Sequence, residues 1–232
     1  MTKGKEIQTA FIRSLPVMAG YITLGIGFGL VYTSSGLSMP GAVLFSILVF
    51  AGSMQYVSVS LLTTGASPLA MVLMTMTVNL RHIFYSISML GKYKGAGKYK
   101  PYMVFALTDE TFSIACEGAP EGFDAPKYYF ALSLFDQSYW VLGTVLGVLL
   151  QELVNIPFTG VDFSMTALFL VTFTSQVMKK KSLSASALGI FIPFISLLVF
   201  GKDSFLIPSL IAIAVILCIA VGVELKKEEA KA

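Results

Sequence analysis

Nine polar side chains stand inside long apolar runs: Gln55, Asn79, Arg81, His82, Asp109, Glu110, Asp136, Gln137 and Gln176. Arg81 is the lone cation among them and faces three acids, Asp109, Glu110 and Asp136. A dry interior does not hold that imbalance, because burial disfavours the charged form of each carboxylate. Either water reaches the cluster, or at least one carboxylate carries a proton. Both conditions suit a route for charged cargo and protons. The plainer alternative is an ion-paired scaffold that only holds helices together. His82 taken alone fits tertiary hydrogen bonding as well as it fits function.

Spacing sharpens the first reading. Asp109 and Glu110 are neighbours, and neighbouring helical residues point about 100° apart. Only one of them can face Arg81. The other is left to titrate or to hold an amine. The expected partners are brought together by an antiparallel hairpin of the third and fourth apolar runs, joined by the loop that holds Lys92, Lys94, Lys98 and Lys100.

Other chemistries find little support. With one histidine in the chain, no HExxH zinc site exists, and neither GxSxG nor a Walker A sequence occurs. A Ser53–His82 dyad on neighbouring helices is the one arithmetical route to an intramembrane hydrolase. Gly25, Gly27 and Gly29 lie in a glycine-rich run with no preceding strand, so they do not make a nucleotide loop. Close helix packing is their first reading, and an unwound stretch touching substrate is the second. Gly52 belongs to the same class of backbone or packing candidates. Cys116 and Cys218 sit in separate apolar runs and suggest neither a disulfide nor a metal site. No cofactor, no metal and no nucleic-acid partner is expected.

The elements that position these groups follow from composition. Of 232 residues, 56% are hydrophobic and 12% charged, and mean hydropathy is +0.80. A soluble domain carries about 25% charged residues, so an ordinary soluble enzyme and a disordered chain are both excluded. The sequence predicts an all-α integral membrane protein in a lipid bilayer, one polytopic domain over 1–232. About eight apolar segments are expected, near 15–32, 41–62, 68–90, 102–116, 128–150, 163–178, 183–200 and 205–223. Their continuity excludes outer-membrane strands. Residues 1–13 lack a cleavage pattern and are read as retained.

Lysine and arginine set orientation, since they stay cytoplasmic. If every run crossed, Lys92–Lys100 and Lys179–Lys181 would face opposite sides. The count is repaired if runs one and five are discontinuous helices that enter and return on one side. Both termini then lie in the cytoplasm, and the acidic loop after run four lies outside with Lys127. Runs one to three and five to seven become inverted repeats, near 14–117 and 127–223. A plain eight-helix bundle is the alternative.

Three stretches carry a resemblance: Phe50-Ala51-Gly52-Ser53-Met54-Gln55-Tyr56, Asn79-Leu80-Arg81-His82-Ile83-Phe84-Tyr85 and Leu107-Thr108-Asp109-Glu110-Thr111-Phe112. Together they resemble the AzlC family of branched-chain amino acid exporters. The resemblance implies export of leucine, isoleucine, valine or analogues across a bacterial cytoplasmic membrane. It also implies a separately encoded partner, a small AzlD-like membrane protein. For such a zwitterion, Arg81 would take the carboxylate and Asp109 or Asp136 the ammonium. With no ATPase motif, proton coupling is expected. A passive channel or a subunit that only scaffolds a partner's route is the competing class.

Overall fold

The computed structural model describes residues 4–154 and 183–201, with isolated positions at 170, 174, 177, 178, 205, 208, 209, 211–213, 215 and 216. The described residues are helical, with no strand among them. The chain divides into two compact units, Met1–Met165 and Thr166–Ala232. In the second unit, α9 (Leu183–Phe200) is an apolar helix with Pro193 inside it. Gln176, Lys179–Lys181 and most of the sixth and eighth runs lie outside the described residues, as does part of the second expected repeat.

Two long helices frame the first unit. Helix α1 (Lys5–Ser34) and helix α8 (Ala125–Val154) each have 30 residues, or about 45 Å at 1.5 Å per residue. Both are long and apolar enough to cross a bilayer. They pack in parallel: Phe11 meets Phe135, Ser14 bonds Tyr139, Gly25 abuts Trp140 and Gly143, and Gly29 abuts Gly147. The close approach depends on glycine spaced four apart on both helices. A Cβ at Gly25 would lie 2.7 Å from the Trp140 carbonyl oxygen, and one at Gly143 would lie 2.6 Å from that of Ile22. Small residues let backbones touch where lipid offers no hydrophobic drive between helices.

Between the long helices the chain makes two half-length excursions. Helix α2 (Met39–Leu48) descends from the Tyr32 end of α1 until Ser46 reaches Thr144 and the Ile47 carbonyl reaches Gln137. The chain turns at Val49-Phe50-Ala51, and α3 (Gly52–Thr63) climbs back, from Trp140 at Gly52 to the Leu24 carbonyl at Tyr56. Pro40 and Pro68 stand in the first turns of α2 and α4, where a missing N–H costs nothing. Helix α4 (Pro68–Asn79), capped by Ser67, and helix α5 (Arg81–Met89) then form one descent nicked at Leu80, whose dihedrals stay helical. It ends where Met89 and Tyr93 pack with Ala10, Tyr128 and Tyr129. The second excursion starts there. A 3₁₀ turn (Gly97–Tyr99) leads into α6 (Lys100–Phe105), which rises from Tyr99 at Phe130 to Tyr102 at Gln137. After Ala106-Leu107-Thr108, α7 (Asp109–Ala115) falls from Thr111 at Asp136 to the loop where the Ala119 amide meets Tyr129.

Several expectations are corrected by this path. Runs one and five are continuous helices, and among the described residues the re-entrant elements are runs two and four. The Gly25–Gly29 stretch is helical and packs on α8, so the unwound reading fails. Parallel α1 and α8 cannot be related by a two-fold in the membrane plane, which would reverse one of them, so the inverted pairing of runs one and five also fails. Run four returns to its starting end. The acidic loop 117–124 and Lys127 therefore share an end with Lys92–Lys100 and the N-terminal part of α1, and Lys92 bonds the Cys116 carbonyl. Helices α5 and α7 run the same way, with Arg81 at Asp109 and Tyr85 at Phe112. The antiparallel hairpin expected for that pair is instead a parallel approach.

Candidate functional site

The two re-entrant turns meet beside the Leu80 nick. Between them lies a cleft of about 190 Å³, walled by Val49, Phe50 and Ala51 from the first turn and by Val104, Phe105 and Leu107 from the second. Asn79, His82 and Ser86 supply its polar side. Phe50 carries the turn at φ 40°, the one positive φ outside glycine among the described residues, and is almost fully buried. A bulky residue held in the left-handed region is strained by about 1–3 kcal/mol, and such strain persists only where its surroundings enforce it. Here Tyr21 packs edge-on against the Phe50 ring.

Arg81 ties the turns together. Its guanidinium pairs with Asp109 at the start of α7 and donates from Nη2 to Ser53 Oγ at the start of α3, 3.0 Å away. Asp109 and Glu110 diverge as their adjacency requires: Glu110 turns to Tyr21, which donates from Oη to Oε2 at 2.7 Å. Asp136 is fully buried on α8 and accepts from Thr111 Oγ1 at 2.7 Å. One oxygen of Asp136, one of Asp109, the Asn79 side-chain oxygen and Arg81 Nε are buried without a partner. Such groups normally find partners, and of these residues Asn79 lines the cleft.

The remaining candidates are structural neighbours of this centre. Gln55 is fully buried and donates to Ser46 Oγ at 3.0 Å, which in turn meets Thr144 Oγ1 at 2.8 Å, linking α3, α2 and α8. Gln137 donates to the Ile47 carbonyl and accepts from Tyr102, so one side chain on α8 sets the depth of both excursions. A Cβ at Gly52 would lie 3.0 Å from the Trp140 indole, and one at Gly27 would lie 2.6 Å from the Tyr56 hydroxyl, which donates to the Leu24 carbonyl. Ser53 and His82 do not form a dyad. The serine accepts from Arg81, and His82 Nδ1 donates to the Asn79 carbonyl at 3.1 Å. Tyr21, Thr108, Thr111 and Phe50 were not legible as site residues. Hydroxyls and rings are common in apolar helices, and only the fold shows which ones meet a carboxylate.

A family model for the AzlC protein matches residues 16–154, which contain every residue of the site described above. The chain belongs to the AzlC family. It is 38% identical over 224 residues to the branched-chain amino acid transport protein AzlC of Bacillus subtilis, covering 94% of this chain and 88% of that protein. An uncharacterized membrane protein of Haemophilus influenzae is 38% identical over 227 residues, covering 97% and 93% of the two chains. The inner membrane protein YgaZ of Escherichia coli is 30% identical over 183 residues, covering 75% and 74%. No solved structure matches this AzlC-family chain. Its relatives are membrane proteins, and the named transport protein among them supports a role in membrane transport.

Proposed function

We propose that this chain is a secondary transporter that exports branched-chain amino acids across the bacterial cytoplasmic membrane, coupled to protons and working with a small AzlD-like membrane protein. The observation that carries the reading is the cleft between the two turns, apolar on its turn side and adjoining the Arg81–Asp109 pair. A zwitterion with an aliphatic side chain matches that surface in kind. Its carboxylate replaces Asp109 at Arg81, and its ammonium takes the freed Asp109, so one ion pair is exchanged for two with no change in net charge. The apolar wall receives the side chain, where each buried CH₂ contributes about 0.8 kcal/mol. Lys92, Lys94, Lys98 and Lys100 share an end with the start of α1, which supports a cytoplasmic N-terminus under the positive-inside rule. A cytoplasmic C-terminus completes the proposed topology.

The test is counterflow of labelled leucine in proteoliposomes, with and without the co-expressed small partner, at equal pH and under an imposed gradient. Saturable counterflow that valine and isoleucine compete for, and that a pH gradient drives uphill, is the expected result. Non-saturable leak that ignores the gradient would favour a passive channel. No leucine movement in either preparation would favour a scaffolding subunit.

A further inference from the structure

Glu110 and Asp136 are joined by an unbroken line of three hydroxyls. Tyr21 Oη lies 2.7 Å from Glu110 Oε2 and 2.5 Å from Thr108 Oγ1. Thr108 Oγ1 lies 3.0 Å from Thr111 Oγ1, which lies 2.7 Å from Asp136 Oδ2. Four links thus connect two carboxylates, and each hydroxyl owns one proton. With both carboxylates ionised, Tyr21 donates to Glu110 and Thr111 donates to Asp136. Thr108 can then serve only one of its two neighbours, and one link has no proton. A single added proton completes the line. Placed on Glu110 it orients every donor toward Asp136, and placed on Asp136 it orients every donor toward Glu110. A second added proton leaves two donors facing each other somewhere along the line. The hydrogen count therefore favours one shared proton over none or two.

We propose that Glu110 and Asp136 act as one site for a single proton, shared through the Tyr21, Thr108 and Thr111 hydroxyls. Its uptake and release is the protonic step of transport, a role that rests on the proton-coupled reading above. In the transfer Glu110 gives its proton to Tyr21, Tyr21 gives its own to Thr108, Thr108 to Thr111, and Thr111 to Asp136. Four O–H bonds break, four form, and the negative charge moves from Asp136 to Glu110, with no other reactant. The other ionisable groups around the line are Arg81, His82 and Tyr85 on α5, Asp109 on α7 and Tyr102 on α6. Arg81 and Asp109 already neutralise each other, and Tyr102 donates to Gln137.

The arrangement also turns proton occupancy into a mechanical signal. Tyr21 belongs to α1, Asp136 to α8, and the other members to the second re-entrant turn. The complete line ties that turn to both long helices. Losing the proton removes one link at or beside Thr108, at the tip of the turn.

Infrared difference spectra of the full chain in lipid nanodiscs, taken across a pH series, test the proposal through the carboxylic C=O stretch. Wild type is expected to titrate one proton per chain in one step, with a band altered by Glu110→Gln and by Asp136→Asn. Thr111→Val should split that step in two, Thr111→Ser should restore it, and Tyr21→Phe should split it from the other end should the valine variant fail to fold. Uphill leucine transport should fall at least about tenfold in Thr111→Val, about 1.4 kcal/mol, and return in Thr111→Ser. An unchanged single step in both hydroxyl deletions, or two steps already in wild type, overturns the shared site. A single step in wild type that splits as described, with no leucine counterflow, removes the transport reading and leaves the proton site standing.

Discussion

Arg81 Nη2 donates to Ser53 Oγ at 3.0 Å while Nη1 of the same guanidinium pairs with Asp109. One side chain thus clamps the first residues of α3 and α7, the outgoing halves of both re-entrant excursions. A guanidinium suits this task because its planar fork carries several donors at fixed angles, whereas an ammonium offers a point charge.

Replacing Arg81 with Lys should therefore preserve charge but not the clamp. Removing one partner of a buried pair costs about 3–5 kcal/mol, and the cost here is smaller because the Arg81 side chain is 33% exposed. Leucine counterflow is expected to fall at least about tenfold in Arg81→Lys and further in Arg81→Gln. In Arg81→Gln/Asp109→Asn, expression and thermal stability should recover while counterflow does not. Full counterflow in Arg81→Lys would make the residue a simple counter-ion.

The α1–α8 contact predicts a contrast between two glycines on one helix. Gly25→Ala would push its Cβ into the α8 backbone, where neither side can rotate away, and overpacking of this kind costs about 1–3 kcal/mol. A Cβ at Gly20 meets nothing within 4 Å. Thermal melts followed by size-exclusion fluorescence should show a clear drop for Gly25→Ala and none for Gly20→Ala. Equal behaviour of the two would contradict the close parallel packing.

Phe50 predicts an inverted order of substitutions. Phe50→Ala loses the buried ring and keeps the unfavourable φ, whereas Phe50→Gly loses the same ring and relieves the backbone. The glycine variant should be more stable than the alanine variant by about 1 kcal/mol, opposite to the usual helical order. Chemical or thermal unfolding of both in detergent decides the point.

The path of run four makes a topological prediction that differs from the hydropathy count. Single cysteines at Lys94 and Glu121, with Cys116 and Cys218 replaced, should both be shielded from an impermeant thiol reagent in intact cells. A cysteine at Gly65, in the loop after α3, should be labelled. Labelling at Glu121 with protection at Lys94 would restore run four as a full crossing.

How much of this was legible beforehand depended on the length scale of each feature. Composition required a membrane protein, because too little charge is available to cover an apolar interior in water, and the length and continuity of the apolar runs required helices. The divergence of Asp109 and Glu110 was also decided locally, by the angle between adjacent helical residues. Hydropathy, in contrast, cannot tell one crossing from two half-crossings: α2 and α3 together have the apolar length of a single span, and the turn at Phe50 contains no proline or charge to mark it. The charge count was inconsistent with a full crossing by every run, and it assigned the returns to runs one and five, since side preference records only the net number of crossings. Which runs return is settled by α1 and α8 packing in parallel through Gly25, Gly29, Gly143 and Gly147. That contact occupies both long helices along their length and leaves the intervening segments to fold inward. The hydroxyl line from Glu110 to Asp136 belongs wholly to the tertiary structure, because Tyr21, Thr108, Thr111 and Asp136 become neighbours only when α1, the second turn and α8 converge.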